Sequence, residues 1–75
     1  MVVAVVLVEG DDIIEENLMI PLTNAEEFLI GRVDGLGILV HFVASSTTDL
    51  DVAVRGLTSV PNVTGVLTVA TKHAA

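Results

Sequence analysis

Hydrophobic positions fall into distinct patterns along the chain, and each predicts an element. Val2 to Val8 is a near-continuous β-branched run closed by Gly10-Asp11-Asp12. Such a run suits a strand that is central in its sheet or covered on both faces. From Asp12 to Ile20 the residues Ile13, Ile14, Leu18 and Met19 share one side of a short helix. Asp11 or Asp12 is then the N-cap, Glu15 and Glu16 sit in the first turn, and Pro21 ends the element. The same stretch, Ile13 to Ile20, also reads as an edge strand hairpinned to the first. Glu26 to Val33 and Ile38 to Ala44 flank Asp34-Gly35-Leu36-Gly37, and Asp-Gly supplies the positive φ values of a tight reversal, so the pair predicts a β-hairpin. Thr23-Asn24-Ala25-Glu26 is the competing signal, a capping box that would open a helix reaching Val33.

Ser45-Ser46-Thr47-Thr48-Asp49 is a cluster of N-capping residues, followed by Leu50, Val54, Leu57 and Val60 on one helical face. Pro61 stops that helix. Leu50, Val52 and Val54 also alternate as a strand would, and Gly56 weakens a helix by about 1 kcal/mol relative to alanine. Val63 to Thr71 closes the chain as a strand, with Val63, Gly65, Leu67 and Val69 on one face. The order β, α, β, β, α, β predicts a single α+β domain over residues 1–75 with a ferredoxin-like βαββαβ arrangement. This is a four-stranded antiparallel sheet with two helices on one face. If Ile13 to Ile20 and Leu50 to Gly56 are strands instead, the chain is mostly β.

Composition sharpens this picture. A chain of 75 residues buries only roughly 60% of the surface that its unfolded form exposes, so a lone core is marginal. There is no cysteine to staple it, and His41 and His73 cannot complete a Cys/His zinc site. Oligomerisation is the remaining common device. With 52% hydrophobic residues and a mean hydropathy of +0.80, the chain holds more apolar material than so small a body easily hides. A bare second sheet face covered by another subunit would reconcile the two, which predicts a homo-oligomer. The 14 valines and 7 threonines favour strands.

Ten acidic residues against Arg32, Arg55 and Lys72 give a net charge of −7, a field that repels phosphate backbones, so direct nucleic-acid binding is not expected. No segment has the roughly 18 to 20 continuous apolar residues of a membrane span. The opening run lacks a basic flank and reads as a buried strand rather than a signal peptide, which makes a cytoplasmic location the default expectation.

Candidate chemistry is sparse. Glu15 with Glu16, and Glu26 with Glu27, are adjacent and point apart on any regular element, so they read as solvated faces rather than an acid/base pair. Asp49 and Asp51 lack the dense, glycine-turned loop of a hard-cation site. His41 has no carboxylate or serine at motif distance, and His73 falls in a terminal tail expected to fray. Ser45 to Thr48 carry no Gly-x-Ser-x-Gly turn, and Gly31, Gly35 and Gly37 form no phosphate loop. No motif implies a cofactor, a metal or an enzyme.

The hairpin Arg32 to Val40, the stretch Asp49 to Leu57, Val60-Pro61-Asn62-Val63 and Thr68 resemble the ligand-binding module of the leucine-responsive regulator family (Lrp/AsnC), an ACT-like fold often called RAM. The resemblance spans roughly residues 32 to 72. Asp34 stands where that family has threonine, and Asn62 where it has glycine. The DNA-reading helix-turn-helix has no counterpart, so the likeness is to a stand-alone module. Gly37 to Val43 and Val63 to His73 are also similar to the ferredoxin-like chaperone of the periplasmic nitrate reductase twin-arginine signal peptide.

The first resemblance implies a non-catalytic, oligomer-forming regulatory module that binds a small ligand between subunits. Asp34, Gly35 and Gly37 of the turn and Thr47, Thr48 and Asp49 of the helix start would be its binding residues. Backbone N–H groups at a helix N-terminus suit such a role. The alternative functions are a structural subunit of a virion or filament, whose apolar surface is packing surface, and a peptide-binding chaperone.

Overall fold

A computed structural model describes residues 1–73. Six elements follow in the expected order: β1 (Val2–Gly10), α1 (Glu15–Met19), β2 (Glu27–Val33), β3 (Gly37–Ala44), α2 (Thr47–Thr58) and β4 (Val63–His73). The strands form one antiparallel sheet in the spatial order β2-β3-β1-β4, which is the ferredoxin-like arrangement. The continuous valine run of β1 reflects its place between β3 and β4.

The core lies on one face of the sheet. Val2, Ala4, Val6 and Val8 of β1 and Ile38, Val40, Phe42 and Ala44 of β3 alternate toward it and are buried. Leu18 of α1, Leu22 of the following turn, and Ala53 and Leu57 of α2 close over them. No polar or charged residue is buried among the described residues, so the interior is a purely apolar layer between helices and sheet.

Residues 47–58 are helical, which settles the competing strand reading. Ser46 is extended (φ −151°, ψ 168°), and its Oγ accepts from the Asp49 N–H at 3.2 Å, satisfying one of the orphan donors of the first turn. The helix ends at Thr58, with the Ser59 N–H donating back to the Arg55 carbonyl. The α1 region differs from expectation. Its helix is one turn long, its N-cap is Ile14, and no side chain caps it, because Asp12 takes a positive φ of 56° and belongs to the preceding turn. Of the four apolar residues expected to share a side, Ile13 and Leu18 are buried while Ile14 and Met19 are exposed.

The hairpin forms as predicted, with Gly35 at φ 74° in its turn. Gly37 is required twice over: its φ is 143°, and a Cβ there would stand 2.7 Å from the Val8 carbonyl oxygen. The capping-box helix over 23–33 does not form. Instead the Glu26 N–H donates to the Val43 carbonyl at 2.8 Å and leads directly into β2. His73 lies within β4 rather than in a frayed tail and pairs with Val2.

Candidate functional site

The residues proposed to hold a ligand occupy both ends of β3. Asp34, Gly35 and Gly37 line a cleft of about 330 Å³ beside Gly10, Asp11 and Arg32, where the β2–β3 turn meets the end of β1. Thr47, Thr48 and Asp49 open α2, which follows the other end of β3. Seven steps along that strand separate the two ends by roughly 23 Å. Within one chain, therefore, the turn and the helix start are not neighbours.

The two ends differ in what they offer. At the helix start, the Ser46 side chain already uses the Asp49 N–H, and the Asp49 carboxylate sits in the first turn, where it complements the helix dipole. A small void of about 30 Å³ adjoins Asp49, against Phe42 and Ala53. At the turn, the cleft brings backbone groups of three glycines together with Asp11, Asp34 and the Arg32 guanidinium. The Arg32 Nε is 3.4 Å from a Glu15 carboxylate oxygen, and both side chains are about half exposed, so the pair is weak and leaves the arginine accessible. Among the described residues, no three metal-ligating side chains converge.

A third hollow escapes sequence reasoning. A groove of about 490 Å³ runs between the ends of α1 and α2, lined by Asn17, Ile20, Pro21, Gly56, Val60 and Pro61 among others. Its one sequence signal is Gly56, a helix-weakening residue inside an otherwise regular helix. The structural reason is contact, since a Cβ at Gly56 would approach the Pro21 Cβ to 2.5 Å.

The largest feature is the sheet face turned away from the helices. Alternation places Val3, Val5 and Leu7 of β1 there, with Leu39, His41 and Val43 of β3 and Glu27, Leu29, Gly31 and Val33 of β2. On β4 the pairing skips Val69: Val6 faces Thr68, while Val5 faces Ala70. The bulge resets the alternation, so that Gly65, Leu67, Ala70 and Lys72 lie on the open face. Leu7 is only 7% exposed even without a cover, because Leu39 and Leu67 flank it, whereas Leu29 is 72% and Leu67 57% exposed.

Comparison of the chain with family models, curated proteins and solved structures finds no match. Among the described residues no helix is long and apolar enough to cross a membrane.

Proposed function

We propose that the protein is a non-catalytic, oligomer-forming module of regulatory type, which binds a small molecule and reports it as a change in assembly. The observation that carries this reading is the open sheet face, with Val3, Val5, Leu7, Leu29, Leu39, Val43 and Leu67 on one contiguous surface that no element among the described residues covers. A small domain that leaves such a surface in water gives up burial worth about 25 cal/mol per Å², and a partner recovers it. The accessible cleft at the β2–β3 turn is the favoured ligand position, since it joins an arginine, two carboxylates and three glycines in one polar hollow. The likeness of the hairpin and of Val60 to Val63 to the leucine-responsive regulator module supports the same position.

The test is light scattering on the eluting protein, with and without each of the common amino acids, together with the thermal midpoint under the same conditions. A discrete oligomer whose mass or midpoint shifts with particular amino acids is expected. A mass and midpoint indifferent to all of them would remove the sensing role. The rival reading, a structural subunit of a larger particle, draws on the same apolar face and on the two edge strands β2 and β4, and it requires open-ended particles visible by electron microscopy.

A further inference from the structure

The geometry points to a second copy of this chain as the occupant of the open face, stacked sheet on sheet about a twofold axis parallel to the strands. This rests on the self-assembly part of the proposed function and names the surface and register through which it happens. The pairing of the four strands aligns the open face in rows. One row runs Glu27, Val43, Val3, Lys72; the next Leu29, His41, Val5, Ala70; the next Gly31, Leu39, Leu7, Leu67. A further row begins at Val33 and Gly37 and ends at Gly65, opposite Glu9.

A twofold axis along the strands, between β1 and β3, lays each row over its own reverse. Glu27 of one copy then meets Lys72 of the other, twice in the dimer. Leu67 lies over Gly31, Leu29 over Ala70, and Val33 over Gly65. Each outer position thus matches its reverse in charge or in size. The two glycines leave real room, since a Cβ at Gly31 or Gly65 would meet nothing within 4 Å. In the middle, Leu39 meets Leu7 and Val43 meets Val3. Stacked sheets align to within about 30°, which keeps the central rows in register.

The other in-plane axis, across the strands, sets Glu27 over Val33 and Val3 over Glu9, and strands the charges among apolar groups. Self-complementarity under one operator and not the other is what a second identical copy requires and an unrelated partner does not. Charge distribution agrees with it. The chain carries −7 overall, yet Glu9 and Glu27 are the only acids of this face, and both lie on its end rows. Four strands at about 4.8 Å spacing and about seven residues in length give a footprint on the order of 400 Å² per copy before side-chain relief. The pair therefore buries on the order of 1,000 Å² in total, the lower end for a specific dimer, where the outer matches count.

The experiment uses Glu27→Lys and Lys72→Glu, alone and mixed, read by sedimentation over a wide concentration range, with circular dichroism to check folding. Each variant alone faces like charge twice across the axis and should dimerise about tenfold or more weakly than the unsubstituted chain at low salt. An equimolar mixture should recover the affinity as heterodimers, because one copy then carries two lysines and the other two glutamates at the meeting points. Gly31→Trp fills open space in the single chain and the seat of Leu67 in the dimer, so it should also leave the fold intact and weaken association. If the unsubstituted chain stays monomeric at every concentration, both this inference and the self-assembly reading fall. If it dimerises but neither charge variant weakens it, or mixing restores nothing, this geometry is wrong while self-assembly stands.

Discussion

Replacing Gly56 by alanine sets two effects of known sign against each other. In an exposed helix interior the change stabilises by about 1 kcal/mol. Here the new Cβ would stand 2.5 Å from the Pro21 Cβ and 3.5 Å from its Cα. Carbon atoms pack comfortably at about 3.5 to 4.0 Å, so helix and turn must separate by roughly 1 Å. Pro21 cannot yield alone, because it is a rigid ring tied to Leu22, which with Leu18 is fully buried beneath it. Overpacking of this kind costs about 1 to 3 kcal/mol. The expected net result is a loss of up to about 2 kcal/mol where propensity alone gives a gain.

Urea unfolding at fixed protein concentration measures this as a lowered midpoint at constant slope. The control is the same substitution in a Pro21→Gly background, where the clashing Cβ is gone and the next contact is an ordinary 3.5 Å. There the alanine should regain its helix advantage, and the cycle should return a coupling of about 1 to 3 kcal/mol. A stabilisation near 1 kcal/mol in the natural background would show that α2 and the turn after α1 do not meet.

Other outcomes follow from single positions. Phe42 is fully buried and central in the core, so Phe42→Ala should cost about 3 to 5 kcal/mol in the same unfolding assay. Ser46→Ala removes the hydrogen bond to the Asp49 N–H and should cost about 1 kcal/mol, with a loss of helical signal no larger than fraying of one turn. His41 sits on the open face between Val5 and Leu29, and in the stacked dimer it lies over Val5 of the other copy. His41→Val should therefore tighten dimerisation by at least about fivefold by sedimentation, since it removes a polar group from an apolar contact. An unchanged or weaker dimer would place His41 outside the interface.

Much of this architecture is legible from the residues, for identifiable reasons. The α2–β4 unit is marked by Ser46 as cap, by Leu57 and Val60 on the buried stripe, and by Pro61 just past the end. The hairpin is marked by Asp34-Gly35. The α1 segment is not legible, because two adjacent isoleucines carry no phase. Ile13 is buried and Ile14 exposed only because Asp12 adopts φ 56° and turns the chain before the helix begins. The faces of β4 are hidden for a similar reason. Simple alternation puts Val69 with Leu67, but the skipped residue at Val69 hands that face to Ala70 and Lys72. Without that bulge Lys72 would not share a face with Val3, and the opposition of Glu27 and Lys72 across the sheet would be invisible. The separation of Asp34 from Thr47 follows from β3 running between them, a consequence of topology that residue types alone do not express.

The most direct measurement is a search for nuclear Overhauser contacts between the Leu67 methyl groups and Gly31 in a concentrated sample. In one chain these residues occupy opposite edge strands, about 14 Å apart across the sheet, beyond the reach of such a contact. A cross-peak between them that fades on dilution, with the edge amides of β2 and β4 still exchanging as unpaired groups, is the expected result, since it requires a second copy lying over the open face rather than one joined edge to edge. A dimer of twice the 7.8 kDa chain mass that shows no such cross-peak would contradict the stacked-sheet arrangement.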